Sequence, residues 1–224
     1  MSTLEDSKLK IVWAREKLEY LEFFRERVRQ DAGQFVSDNL VANPREIYFL
    51  FRDYLRDEAL RCVSEFVHHA RSALDYVIFA LARRDAPEKF RPDNDRTQFP
   101  IDEPGQNFER HRAGMLKHLT DEHFAMVKGF QPKGRFQSLL LLNRLSNIDK
   151  HREFVLITFA GMIADVPIPV AEAQAAATDA EQMKVERRII FQILLDDGSD
   201  IRESLPGVLS QVVKIVDHFD RALG

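Results

Sequence analysis

The sequence predicts an α+β fold that is mostly α, a helical bundle with a small antiparallel sheet attached. Three observations carry that expectation. Long stretches keep apolar residues at the 3.6-residue period, the chain turns to β-branched and aromatic runs after about residue 153, and its C-terminal stretch returns to helical spacing.

Leu4 to Gln30 is the first predicted helix: Leu4, Ile11, Leu18 and Leu21 recur near heptad spacing, Trp13, Ala14 and Phe24 broaden the stripe, and Gly33 is its expected end. Asn43-Pro44 punctuates the chain. Ile47, Phe49 and Phe51 then alternate with Tyr48, Leu50 and Arg52, which predicts a short strand, although a helix can also be drawn through them. Glu58 to Arg84 is the second long helix, with Leu60, Val63, Phe66, Val67, Ala70, Ala73, Leu74, Val77, Ile78 and Leu81 in register.

Residues 85–106 hold Pro87, Pro92, Pro100 and Pro104 and read as a surface loop, pinned to the core by Phe99-Pro100-Ile101. Short helices are expected at 107–119 and 121–128, the second capped through Thr120-Asp121-Glu122-His123. Phe136 to His151 is the third major helix, with Leu139, Leu141, Leu142, Leu145 and Ile148 inward. Phe154–Phe159 and Arg188–Leu195 are predicted to pair as antiparallel strands around an Ala-rich excursion over 166–182, before an Asp197-Gly198 turn. Leu205 to Leu223 closes the chain as an amphipathic helix with Pro206 in its first turn. One domain is expected over 1–224: a helical core at about 4–30, 56–84 and 107–151, a strand-rich addition at about 153–195, and the helix at about 205–223.

The 224 residues are 45% hydrophobic and 30% charged, the composition of a globular protein with a sizeable core. Phenylalanine dominates the aromatics, 17 against 4 Tyr and 1 Trp, so most aromatic area is expected to be packing area. The one cysteine, Cys62, excludes an intrachain disulfide and any multi-cysteine metal site, and fits a reducing compartment. The charged start, Met1 to Lys10, has no apolar export segment, and the apolar run Phe154–Ala164 is about half the ~20 residues of a spanning helix. A cytoplasmic protein without a membrane partner is expected. The net charge of −4 hides an uneven layout: residues 108–152 carry nine Lys/Arg against four Asp/Glu, a local +5 that leaves −9 elsewhere. Such a middle can face phosphate or be a solvated surface.

There is no Gly-rich phosphate loop after a strand, no Gly-x-Ser-x-Gly elbow and no His-Glu-x-x-His helix. His111, His118 and His123 lack carboxylates in liganding register, and neither a metal nor another cofactor is expected. Two stretches stand out. His68, Arg71, Ser72 and Asp75 fall at steps of three and four and line one polar stripe of an otherwise apolar helix. Arg144, Asn147 and His151 recur at i, i+3 and i+7, beside Lys150. An imidazole can move a proton near neutrality, an arginine fork matches two phosphate oxygens, and RNA supplies its own nucleophile in the ribose 2′-hydroxyl. Arg144 and His151 are thus the candidate catalytic residues of a metal-independent ribonuclease, with Asn147, Asp75, Arg71, Lys150 and His68 in support. The alternative from the same residues is a non-catalytic interaction module in which the Arg/His/Asp cluster is a buried structural network.

The stretches His69-Ala-Arg71-Ser72-Ala-Leu-Asp75, Thr97-Gln98-Phe99-Pro100-Ile101, Phe130-Gln131-Pro132 and Leu145-Ser-Asn147-Ile-Asp149-Lys150-His151-Arg152 resemble, in order, a family of uncharacterised bacterial proteins. More distantly, the Arg144-x6-His151 pair is similar to the Arg-x4-6-His signature of the HEPN superfamily, although Leu145 stands where a polar residue is usual there. That resemblance implies an HEPN-like helical bundle and Arg144 and His151 in the catalytic places, with Asp75 as the acidic residue of the neighbouring helix. It also implies RNA as substrate, a homodimer with its site between subunits, and an antitoxin-type protein partner in a toxin-antitoxin or defence system.

Overall fold

A helix that is apolar on nearly every side has to sit in the middle of its fold. The computed structural model describes residues 4–38, 44–92, 95–150, 158–168, 184–195 and 197–223, and such a helix is its axis. The helices are α1 (Glu5–Asp38), α2 (Pro44–Asp85), α3 (Asp121–Gly129), α4 (Ser138–Lys150) and α5 (Ile201–Leu223), with 3-10 turns at Phe108–Ala113 and Gly134–Phe136. Between Ala59 and Ala82, α2 buries Phe66, Leu74, Ile78 and Leu81 on several sides, interleaved with Ala70, Ala73 and Ala80, whose small side chains let neighbours come close. It packs against α1, α4 and α5.

Polar pairs on the surface fix the directions. Trp13 meets His69 and Lys17 meets Glu65, so α1 and α2 run antiparallel. Lys8 meets Asp220 and Arg202 meets Glu22, so α5 is antiparallel to α1 as well. α5 turns a regular apolar face inward, Leu205, Val208, Val212, Ile215, Val216 and Phe219, each side chain of that size stabilising by about 1.5–3 kcal/mol on burial.

The fold class is corrected by this architecture: the protein is mostly helical, not α+β. Among the described side chains the core comes from the helices, the loop after α2 and the turn before α5, and no sheet forms a layer on it. Thr158–Ile168 (β1) and Lys184–Leu194 (β2) pair with each other as an antiparallel two-stranded ribbon, and Leu194 also bridges to Asp200. Two strands have no second layer of their own, so the packed framework is made by helices. Residues 154–157 of the first predicted strand, and 169–182 of the Ala-rich excursion, lie outside the described residues.

Several boundaries differ from expectation, and the helix expected at 107–119 is only the 3-10 turn at Phe108–Ala113. Gly33 lies inside α1, since one glycine costs a helix only about 1 kcal/mol. The strand predicted at 47–51 is helical, because α2 starts at Pro44, whose fixed φ and missing N–H suit a first helical position. α5 starts at Ile201, which puts Pro206 in its second turn. There the backbone runs close to α4: a Cβ on Gly207 would stand 3.3 Å from Ser138 Oγ.

Candidate functional site

The loop after α2 is held by its backbone. Asp75 Oδ1 accepts the Phe99 N–H at 2.9 Å, and Arg71 Nη2 donates to the Phe99 carbonyl. Gln131, buried just beyond α3, continues the grip: its Oε1 accepts the Asp102 N–H at 3.0 Å and its Nε2 donates to the Pro100 carbonyl at 2.9 Å. Phe99 and Ile101 enter the core between these contacts. Burying an extended segment strands its peptide groups unless side chains satisfy them. Arg71, Asp75 and Gln131 do so for four groups in succession. Arg71 is itself buried and ion-paired to Asp75 at 3.2 Å; burial lowers its pKa from the ordinary value and Asp75 opposes that shift.

A second lacing runs along the same loop. Asp102 pairs with His111 at 2.9 Å, Asp95 with His118 at 2.9 Å, and Asp85 with His123 at 2.7 Å. The pairs are nested, with sequence separations of 9, 23 and 38, as in a hairpin whose arms run antiparallel. Asp95 is the busiest carboxylate, also bonded to Lys117 Nζ and the Arg91 N–H, and Lys117 followed by that N–H holds its pKa down to about 2. Asp85 accepts the Thr120 N–H at 2.8 Å, which sets a carboxylate at the positive end of α3, where Thr120 caps the His123 N–H.

The residues singled out in the sequence divide among different places. Arg71 and Asp75 belong to the loop clasp. His68 is exposed on α2, its ring edge-on to His69 at 5.4 Å. Arg144 and Asn147 lie on one side of α4, Arg144 half-buried with Nη2 on Asp197 Oδ2 at 2.6 Å and Asn147 exposed. Asp197 stands in the predicted Asp-Gly turn, where Gly198 takes φ +80°, and the Ser199 hydroxyl and N–H, then Arg144, hold its carboxyl down to about 2. Lys150 is the last residue of α4. His151 lies outside the described residues.

Folding also redistributes the basic segment's charge. Arg110 pairs with Asp102, Lys117 with Asp95 and Arg144 with Asp197, all carboxylates from outside residues 108–152, while Arg112 and Lys128 find Asp121 and Glu109 within it. A pocket of about 250 Å³ opens between the loop and the end of α3, lined by Asp102, Pro104, Phe108, Lys128, Gln131 and Lys133 among others. The Asp102 Oδ2 in its wall is sealed from solvent, and the Gln131 amide is engaged by the loop. Cys62 is buried on α2, and burial pushes its thiol up to about 11, an inert sulfhydryl. Among the described residues no group of three His, Cys, Asp or Glu is placed to hold a metal ion, and His111, His118 and His123 each meet a single carboxylate. No helix among them is long and apolar enough to cross a membrane.

Gln131 and the three Asp–His pairs are the site features that sequence reasoning misses. Their trace in the sequence is the succession Asp85, Asp95, Asp102 followed by His111, His118, His123, a mirror-ordered series whose meaning depends on the chain folding back between its halves. Comparison with known protein families, curated proteins and solved structures finds no match for this chain.

Proposed function

We propose that this chain is a non-catalytic protein-interaction module in which the Arg/Asp cluster of α2 is a structural network. One observation carries the proposal. Three of the four stretches that carry the family resemblance, around Arg71–Asp75, Phe99–Ile101 and Gln131, meet in a single clasp on the loop backbone. Polar atoms of Arg71, Asp75 and Gln131 that satisfy four peptide groups of the loop are engaged in holding the fold together. The pairing of Arg110, Arg112, Lys117, Lys128 and Arg144 with carboxylates also weakens the field a polyanion would meet. A cytoplasmic setting accords with the lone buried thiol.

A second reading keeps a metal-independent, HEPN-like RNA site made by Arg144 and Asn147 of α4 together with His151, and is favoured by the exposure of Asn147 one turn from Arg144. Incubating the purified protein with mixed RNA in EDTA decides between them. The interaction module predicts no cleavage by wild type, Arg144→Ala or His151→Ala. Chelator-resistant cleavage that disappears in His151→Ala would overturn it in favour of the ribonuclease.

A further inference from the structure

The face of α1 turned away from the core carries large apolar groups among its charges. Phe23 is 62% exposed, Leu9 45%, Val12 44% and Tyr20 42%, large apolar groups that a monomer leaves in water at a cost. At 3.6 residues per turn Leu9, Val12, Glu16, Tyr20 and Phe23 lie within roughly 40° of Glu16 about the helix axis, a single stripe. Glu5 and Arg27 continue the stripe at its two ends, both exposed.

The spacing along this stripe reads the same in both directions from Glu16. Leu9 and Phe23 are equidistant from it, as are Val12 and Tyr20, and Glu5 and Arg27. A surface with that property is self-complementary under a two-fold axis through Glu16. Two such helices laid antiparallel set Leu9 against Phe23 and Val12 against Tyr20, each twice. Charge decides the direction. Antiparallel pairing brings Glu5 of one copy to Arg27 of the other at both ends, whereas parallel pairing stacks Glu5 on Glu5 and Arg27 on Arg27. Tyr20 is already held in place, since its hydroxyl bonds Glu58 on α2 and its ring stacks on Phe24, so little ordering remains to be done on docking.

We propose that the partner of this surface is a second copy of the same chain, joined through antiparallel α1 helices about an axis at Glu16. The assignment rests on the interaction-module reading and names its partner. Glu16 then faces its own copy on the axis, an unfavourable contact that limits the strength of the dimer.

Sedimentation equilibrium of the full chain, with circular dichroism as the fold control, tests this. Wild type is expected to dimerise reversibly, Phe23→Glu to be monomeric with unchanged helicity, and Glu16→Leu to dimerise roughly tenfold more tightly, the equivalent of about 1.4 kcal/mol. Oxidative cross-linking reads the orientation. Leu9→Cys combined with Phe23→Cys should give covalent dimers, while either substitution alone should not, because positions 9 and 23 lie roughly 21 Å apart along the helix. Cys62, being buried, does not compete. A monomeric wild type and Glu16→Leu, a dimer that survives Phe23→Glu, or ready cross-linking of Leu9→Cys alone would each overturn the assignment. A monomer that leaves RNA intact sinks the self-association only; the interaction-module reading falls on RNA cleavage.

Discussion

Arg71 and Asp75, one turn apart on α2, hold opposite ends of the same residue: Asp75 takes the N–H of Phe99 while Arg71 reaches its carbonyl. The ion pair between them, at 3.2 Å, joins a buried Arg71 to a part-exposed Asp75, and the Phe99 peptide groups add a hydrogen bond to each.

Removing either side chain therefore strands a buried group. Arg71→Ala is expected to destabilise by about 2–4 kcal/mol and Asp75→Ala by about 1–3 kcal/mol, and for a chain of this size each kcal/mol lowers Tm by about 2–4 °C. The double variant should cost less than the sum, since both act on one residue. Thermal melts of the three variants check this, and strict additivity would contradict a shared clasp.

Acid should loosen the loop through Asp95. Its folded pKa, about 2, lies below the ordinary 3.8, so its contribution to stability is complete above about pH 4 and is lost as pH falls toward 2. Asp95→Asn removes that dependence. Chemical denaturation of wild type and variant between neutral pH and pH 2 should show curves that converge in acid, and parallel curves would mean Asp95 is not the group responsible.

Asp85 joins the end of α2 to the start of α3 through Thr120 and His123. Asp85→Ala is expected to cost about 1–3 kcal/mol and to fray the first turn of α3. Amide hydrogen exchange should accelerate at 120–123 before it does in α2; uniform acceleration throughout would point to a global effect instead.

Arg144→Ala should be nearly silent in stability, within about 1 kcal/mol, because its partner Asp197 is part of an exposed pair. A larger loss in equilibrium denaturation would show Arg144 bracing the turn after β2 far more than surface charges do.

The sequence by itself determined part of the helical framework and its punctuation: the apolar period over Leu60–Leu81, the Thr120 cap, the buried Phe99 in its proline-rich loop and the Asp197-Gly198 turn are local properties, written within a few residues of one another. Only the tertiary structure decided what the polar residues do. Arg71 and Asp75 read as one half of a site until Phe99, 24 or more residues away, supplies the backbone they hold, and the basic middle reads as a surplus until carboxylates from Asp95 to Asp197 fold onto it. The short apolar run at 47–51 misled for the same reason, while the runs after residue 153 form no more than a two-stranded ribbon. A few β-branched or aromatic residues suit a strand or a buried helix equally, and the neighbours that choose between them are distant in the chain.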